Sequence, residues 1–111
     1  MSVWEELKKL ASGLNIPSGT IRFEQEAPET YLVFTPLYDE LVFYADNLPL
    51  MGIEEVRISL FSKKNYSALK EALIRLLLEA DFSITEARFQ AFEEETGYYH
   101  YSLDVAKENV R

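Results

Sequence analysis

The chain has 111 residues, 19 acidic against 11 basic ones, a formal net charge of −8 and no cysteine. This length suits one domain with a single core, and a 48% share of hydrophobic residues excludes a disordered chain. The negative charge argues against nucleic-acid binding because phosphate would be repelled, and without cysteine neither disulfides nor thiolate metal sites form. We therefore predict a single domain over residues 1–111.

The N-terminal segment predicts an amphipathic helix over residues 3–14. Apolar residues recur along it at helical spacing: Val3, Trp4, Leu7, Leu10, Ala11 and Leu14. Ser2 and Glu5 have the spacing of a capping box, in which a side chain satisfies a free backbone N–H at the helix start. Gly13 and Pro17 are expected to end the helix.

The next segment predicts strands, the first of them over residues 20–23. The stretches "TYLVFTPLY" and "ELVFYAD" predict two arms of a hairpin joined around Asp39 and Glu40. Pro36 has no N–H, so its strand should lie at a sheet edge or contain a bulge there. Residues 47–52 have no strand or helix period and predict an apolar loop, which either folds onto the core or contacts a partner.

The middle of the chain predicts a strand followed by a helix. "EEVRISLFS" alternates, which places Val56, Ile58 and Leu60 on one face of a half-buried strand. Asn65 or Ser67 can cap the helix that follows. Its expected apolar stripe consists of Tyr66, Leu69, Leu73, Leu76, Leu77 and Ala80.

The C-terminal part, from Ile84 to about Lys107, predicts a hairpin that turns at residues 95–97, where Gly97 can adopt a positive φ. One face should carry Ala87, Phe89, Ala91, Tyr99, Tyr101, Leu103 and Val105. The other should carry Arg88, Gln90, Tyr98, His100, Ser102 and Asp104. The element order predicts an α+β fold, with a mostly antiparallel sheet packed against two main helices.

Three groups of residues resemble catalytic or metal-binding sites in composition. His100, Ser102 and Asp104 share a predicted face, but steps of about 7 Å along a strand are too long for the hydrogen bonds of a catalytic triad. The acidic run at residues 93–95 alternates faces and cannot converge on one cation. The S-x-x-K spelling that starts at Ser67 lacks its companion motifs. We predict no enzyme activity, no cofactor and no metal.

Aromatic residues make up 14% of the chain. Tyr38, Tyr44, Tyr98 and His100 are expected on the sheet face opposite the helices. Tyrosine-rich surface with few charges is typical of protein interfaces. Tyrosines that only border the core would produce the same pattern, and the sequence leaves both interpretations open.

Three segments of the chain follow one another in a familiar order: "TYLVFTPLYDELVFYADN", "VRISLFSKKNYSALKEALIRLLLEADFSI" and "ARFQAFEEETGYYHYSLDVA". The points of likeness are the Ala45-Asp46-Asn47 step, the stretch at residues 60–63 and the final hairpin rich in tyrosine, glutamate and glycine. In these features the chain resembles, over residues 20–107, the small tail-completion or tail-terminator proteins of tailed phages and prophages.

The resemblance implies an antiparallel sheet flanked by helices and a structural, non-enzymatic role in virion assembly. Proteins of this family sit as a ring, commonly a hexamer, on the head-proximal end of the tail tube. There they stop its elongation and dock to the head connector. The expected partners are further copies of the chain, the tail tube protein and the head connector protein. The expected location is the virion tail, and the host cytoplasm during assembly.

The expected contact residues are the apolar loop and the aromatic hairpin: Leu48, Leu50, Met51, Tyr98, Tyr99, His100 and Tyr101. Two other roles stay open, a head–tail connector of the stopper or adaptor type, and a separate protein-binding module that uses the sheet edge near Pro36. No apolar stretch approaches the roughly 20 residues that span a bilayer, and no signal peptide is recognisable. We expect no membrane partner and no specific nucleic acid.

Overall fold

The structure is a computed structural model that describes residues 2–20, 28–43 and 49–110, with the backbone alone at 39–43, 49–51 and 109–110. Within these ranges the chain forms two helices and one five-stranded sheet. In chain order the elements are α1 (Val3–Gly13), β1 (Ser18–Thr20), β2 (Thr30–Phe43), β3 (Pro49–Ser62), α2 (Ser67–Glu79), β4 (Ser83–Glu93) and β5 (Tyr98–Val110). The predicted α+β fold with a mostly antiparallel sheet is confirmed.

The strands lie in the order β1-β2-β3-β5-β4. The short β1 pairs parallel to β2, and every other neighbouring pair is antiparallel. Because β5 is antiparallel to both β3 and β4, those two strands run parallel to each other with β5 between them. The chain therefore crosses over through α2 from β3 to the far edge and then turns back to fill the gap.

Helix α1 begins at its predicted cap, whereas the N-cap of α2 is Tyr66, which makes no side-chain cap hydrogen bond. The Ser2 hydroxyl accepts a hydrogen bond from the N–H of Glu5 at 3.2 Å, and the side-chain oxygen of Asn65 accepts one from the N–H of Ser67 at 2.9 Å. After the helices, Asn15 and Asp81 adopt positive φ values of 57° and 66°. This left-handed conformation is common where a helix ends, and asparagine and aspartate tolerate it better than most residues.

The core lies between the two helices and one face of the sheet. Its buried members are Val3, Leu7 and Ala11 of α1, Leu73 and Leu77 of α2, Phe82, and the strand residues Leu32, Phe34, Val56, Ile58, Leu60, Leu103 and Val105. Because these strand residues alternate, their neighbours point to the opposite side. We call that side the open face because neither α1 nor α2 packs on it. It carries Tyr31, Val33, Arg57, Ser59, Phe61, Tyr98, His100, Ser102 and Asp104, of which Val33, Ser59, Tyr98, Ser102 and Asp104 are nevertheless buried.

The predicted hairpin around Asp39 and Glu40 is wrong, because residues 30–43 form one continuous strand. Asp39 pairs with Glu54 and Glu40 with Ile53, so the long β3 gives both residues a partner and the chain does not need to turn there. The expected irregularity at Pro36 is confirmed as a shift of register between Pro36 and Tyr38.

The predicted loop at residues 47–52 is also wrong in part, because β3 already begins at Pro49. Pro49 pairs with Phe43, and Met51 pairs with Val110, so the apolar residues continue the sheet. Leu48 lies outside the described residues. The side chains of Leu50 and Met51 do as well, as do residues 21–23 of the first predicted strand; only its Thr20 is seen, in β1.

The C-terminal hairpin is confirmed, with Gly97 at a φ of 80° in its turn. One face assignment within it is wrong: Ala91 was expected beside Phe89 but pairs with His100 toward the open face. The cause is a register shift between Phe89 and Ala91, where Gln90 is an extra residue. A bulge of this kind moves every later side chain of the strand to the other face.

Lys107 links three elements beneath the sheet. Its ammonium group donates hydrogen bonds of 2.7 Å to a carboxylate oxygen of Glu6 in α1 and of 2.7 Å to the carbonyl oxygen of Ala80 at the end of α2. The same nitrogen lies 4.8 Å from the centre of the Phe82 ring. The side chains of Lys107 and Glu6 are only 18% and 24% exposed, so these contacts are largely shielded from water.

Replacing Lys107 with methionine should lower the free energy of unfolding by about 1–3 kcal/mol. The variant keeps the length of the side chain but leaves the Glu6 carboxylate and the Ala80 carbonyl without a partner. Urea denaturation measures the loss. Lys64→Met is the control, because Lys64 is 71% exposed in its pair with Glu29 and should change stability by less than about 1 kcal/mol. If the two variants lowered stability equally, the contacts of Lys107 would not be a special source of stability.

Candidate functional site

The aromatic residues of the C-terminal hairpin separate onto two sides of the sheet. Tyr98 and His100 lie on the open face, whereas Tyr99 and Tyr101 lie on the face that carries the helices. The split follows from the alternation of β5 and agrees with the sequence prediction. The hairpin therefore supports two different aromatic surfaces.

On the open face the aromatic rings form a compact cluster across three strands. His100 stacks on Phe61 with ring centres 4.3 Å apart, and Phe61 stacks on Tyr31 at 4.9 Å. Tyr98 packs edge-on against Tyr31 and Phe61. It is only 6% exposed, and its hydroxyl donates to the carbonyl oxygen of Pro28. Tyr98 thus has little surface left with which to contact a partner.

His100, Ser102 and Asp104, which resemble a catalytic triad in composition, share the open face but do not bond to one another. Both carboxylate oxygens of Asp104 accept hydrogen bonds from the guanidinium of Arg57, at 2.8 and 3.1 Å. The Ser102 hydroxyl accepts one from the side-chain amide of Gln90 at 2.7 Å. Nε2 of His100 is buried and has no hydrogen-bond partner among the residues that the structure describes. No contact between nucleophile and base joins these three residues.

Burial raises the pKa of Tyr31 on this face, and the pKa values of His100 and Arg57 are shifted by their surroundings as well. Burial among the rings lowers the pKa of His100; Glu93 acts in the opposite direction, and Arg57 acts with burial. The hydrogen bond to Asp104 raises the pKa of Arg57. Burial thus favours the neutral form of His100, whereas the hydrogen bond to Asp104 favours the charged form of Arg57.

On the helix side the rings form a second, more exposed group. We call it the aromatic patch; its members are Tyr66, Phe89, Phe92, Tyr99 and Tyr101. Tyr66, just before α2, lies at its centre, with ring-centre distances of 6.4 Å to Phe89, 6.0 Å to Tyr99 and 5.4 Å to Tyr101. Phe92 lies 4.8 Å from Tyr99. Phe89, Phe92 and Tyr99 are 47%, 46% and 37% exposed, which is unusual for large apolar side chains.

The bulge in β4 explains why the aromatic patch exists. Phe89 and Phe92 are three positions apart, so in a regular strand they would point to opposite faces. The extra residue between Phe89 and Ala91 restores them to one side, where Phe92 pairs with Tyr99 and Phe89 with Tyr101. The patch borders a cleft of about 340 Å³ whose lining includes Lys63 and Lys64.

A separate exposed apolar site lies at the bulge of β2. Leu37 and Tyr38 are 41% and 55% exposed. With Trp4 and Glu55 they line a cleft of about 280 Å³. We call this the bulge site. In the bulge site, Tyr38 pairs with Glu55 of β3. In the aromatic patch, Tyr99 pairs with Ser62 at the end of β3, so the two sites lie far apart along that strand.

The part of the chain that the structure describes offers few candidates for a metal-binding or ligand-binding site. No group of three or more histidine, aspartate or glutamate side chains is placed to hold a metal ion there. Neither α1 nor α2 is long and apolar enough to cross a bilayer. A cleft of about 580 Å³ near Ser83 includes Lys107, but that ammonium is already bound to Glu6 and Ala80.

Sequence reasoning missed several residues of these surfaces. The predicted face of Phe89, shared with Tyr101, is correct, but its exposure was not predicted. Phe92 was not assigned to a face, although two phenylalanines three apart in a strand are a signal for a bulge. Leu37 next to Pro36 carried a similar signal, because proline favours a bulge. The stacking of Tyr31 on Phe61 depends on strand order, which the sequence does not state.

No protein-family model matches the chain. No curated protein is significantly similar to it in sequence.

The stability of the protein should fall as the pH drops from about 6.5 toward the lowered pKa of His100. In that window the unfolded histidine, with a pKa near 6.5, binds a proton that the folded one excludes, so acid favours unfolding. His100→Phe keeps the stacking on Phe61 and removes the titration. Urea denaturation at several pH values should therefore show a shallower pH dependence for the variant; equal slopes would contradict a buried neutral histidine.

Proposed function

We propose that this protein is a structural subunit that forms a ring on the head-proximal end of a phage tail tube. The ring ends tube growth and presents the surface that docks to the head connector. The observation that carries the proposal is the presence of two separate exposed apolar sites, the aromatic patch and the bulge site, on one acidic domain. The biological setting comes from the likeness of residues 20–107 to tail-completion proteins.

A ring needs this kind of surface. Its subunits associate head to tail, so each must offer two different and complementary sites. Glu55 and Ser62, which mark the positions of the two sites on β3, lie seven residues apart, or about 23 Å along a strand. Two apolar sites at that separation let one subunit bind two neighbours at once.

The exposure of the side chains changes which residues we propose as contacts in the ring. Tyr99 stays a contact residue, and Phe89 and Phe92 join it because they are the most exposed rings of the aromatic patch. Tyr101 is half-buried beside Tyr66, and the burial of Tyr98 suits a supporting role. The parts of Leu48, Leu50 and Met51 in the ring stay predictions.

The charge of the domain also supports the proposal. DNA passes through the head–tail joint of a tailed phage, and a wall of net charge −8 repels phosphate and does not retain it. Basic residues are few, and Lys64 is paired with Glu29 at 3.3 Å. A ring of such subunits would let DNA pass without binding it.

Removing either apolar site should prevent ring formation on tube ends. We expect Phe92→Ser with Tyr99→Ser to weaken ring assembly at least about tenfold, and Leu37→Ser with Tyr38→Ser to do the same. Truncating aromatic residues at the centre of a contact commonly costs about 2 kcal/mol or more. Sedimentation of the protein with purified tail tubes, followed by electron microscopy of tube ends, measures the bound fraction.

The control for both double variants is Leu78→Ser. Leu78 is 56% exposed on α2 and belongs to neither site, so this variant should bind tube ends as the unaltered protein does. If both double variants still form rings, the two sites are not the contacts. If the unaltered protein ignores tubes but binds head connectors, the connector role replaces the tail-terminator role.

A further inference from the structure

Among the strands that the structure describes, β4 forms a free edge of the sheet. It is the last of them in the sheet order, and β5 is its one described partner. Of its residues, Ser83–Glu93, every one except Ile84 is exposed. An edge strand of this length presents a row of backbone N–H and C=O groups that another strand can bind.

Two irregularities limit how much of that edge can pair. Register shifts lie between Ile84 and Glu86 and between Phe89 and Ala91. Bulges twist an edge and interrupt its ladder, which is a common protection against open-ended aggregation. The regular part of β4 is therefore the short stretch from Glu86 to Phe89.

This stretch is complementary to itself. Glu86 and Arg88 both point to the open face, where they pair across the sheet with Asp104 and Ser102. If a second β4 lies antiparallel with a two-fold axis at Ala87, Glu86 of each copy stands directly opposite Arg88 of the other. Residues directly opposite lie about 4.5–5.5 Å apart at their Cβ atoms, closer than the roughly 6.6 Å between alternate residues of one strand.

We propose that the free protein forms a two-fold symmetric dimer in which β4 pairs with β4 of a second copy, centred on Ala87. The two sheets then join into one continuous sheet. Within one chain Glu86 and Arg88 already form an ion pair, with side chains 44% and 62% exposed. In the dimer each charge gains a second opposite charge across the new ladder, which makes four alternating charges.

The side chains near the axis fit this arrangement. Ala87 meets its own copy at the axis, and its single methyl group is small enough for that close approach. It is exposed in the single chain. Phe89 would stand opposite Thr85 of the second copy, which is the extra residue of that strand's first bulge, and lose part of its 47% exposure. A second copy of the chain therefore satisfies charge, size and exposed apolar surface together.

The dimer does not depend on the proposed function, but it has a consequence for it. Pairing through β4 covers Phe89, which belongs to the aromatic patch. A copy engaged in the dimer therefore cannot use the whole patch in a ring. The free protein would be held apart from ring formation until a tube end supplies competing contacts.

Charge reversal tests the dimer in the absence of tubes. Arg88→Glu places two acids opposite two acids, and Glu86→Arg places two bases opposite two bases, so each should weaken dimerisation at least about tenfold. The combined swap, Glu86→Arg with Arg88→Glu, restores both pairs and should restore the dimer. Lys9→Glu is the control, because it changes the charge as Arg88→Glu does at an exposed site on α1. Sedimentation velocity over a range of concentrations measures the dissociation constants.

A single cysteine tests the register of the pairing. The chain has no cysteine, so Ala87→Cys introduces one thiol on the proposed axis, within the 4.4–6.8 Å Cα separation that a disulfide allows. Ala91→Cys is the matched control: the two copies of residue 91 would lie about 26 Å apart, eight strand residues. Mild oxidation should give a covalent dimer for Ala87→Cys alone, as seen by non-reducing electrophoresis.

The results of these experiments either support the dimer or overturn it. A monomer at every soluble concentration, or single charge variants that dimerise as well as the unaltered protein, would overturn the proposal. So would equal cross-linking at residues 87 and 91. Circular dichroism shows whether each variant is folded. Because no tail tube takes part in these experiments, their failure leaves the ring proposal to its own test.

Discussion

Strand β5 is paired along both of its edges, and the rest of the structure depends on that position. Twelve residues of β3, from Met51 to Ser62, pair with Val110 to Tyr99 of β5, and β4 covers the other edge. Alternation along β5 then distributes the side chains. Leu103 and Val105 are fully buried in the core, Tyr99 and Tyr101 lie in the aromatic patch, and Tyr98 and His100 lie on the open face. Near its end, Lys107 holds both helices.

The bulges matter as much as the regular pairing. One extra residue near Pro36 produces the exposed Leu37 and Tyr38, and one near Gln90 brings Phe92 to the side of Phe89. Bulges commonly re-aim side chains at functional positions. In this domain both exposed apolar sites adjoin a bulge, so a local irregularity in backbone register sets the surface that is available to partners.

Much of the fold could be predicted because it is encoded locally. The 3.6-residue period located both helices and the Ser2 cap located the start of α1, and the strict alternation at residues 56–60 located β3. The hairpin around Asp39 failed because strand length depends on what the neighbouring strand offers. A 14-residue β3 supplied partners for both Asp39 and Glu40, although aspartate is otherwise frequent in turns.

The surfaces were harder to predict than the elements. The alternation of Tyr98 and Tyr99 between two faces was predictable, but the burial of Tyr98 depends on distant residues: the rings of Tyr31 and Phe61 and the carbonyl of Pro28, 70 residues away in sequence. The roles of Phe92 and Lys107 likewise depend on a bulge and on the meeting of three distant elements. Contacts of this kind leave no periodic signal in a single sequence.

The central claim is that this domain acts as one member of a ring at a tube end, and the number and position of bound copies test it most directly. Electron microscopy of purified tail tubes incubated with the protein, together with the mass ratio of the two proteins, gives both quantities. We expect a single ring of several copies confined to one end of each tube. Bare ends, or protein spread along the tube walls, would contradict it.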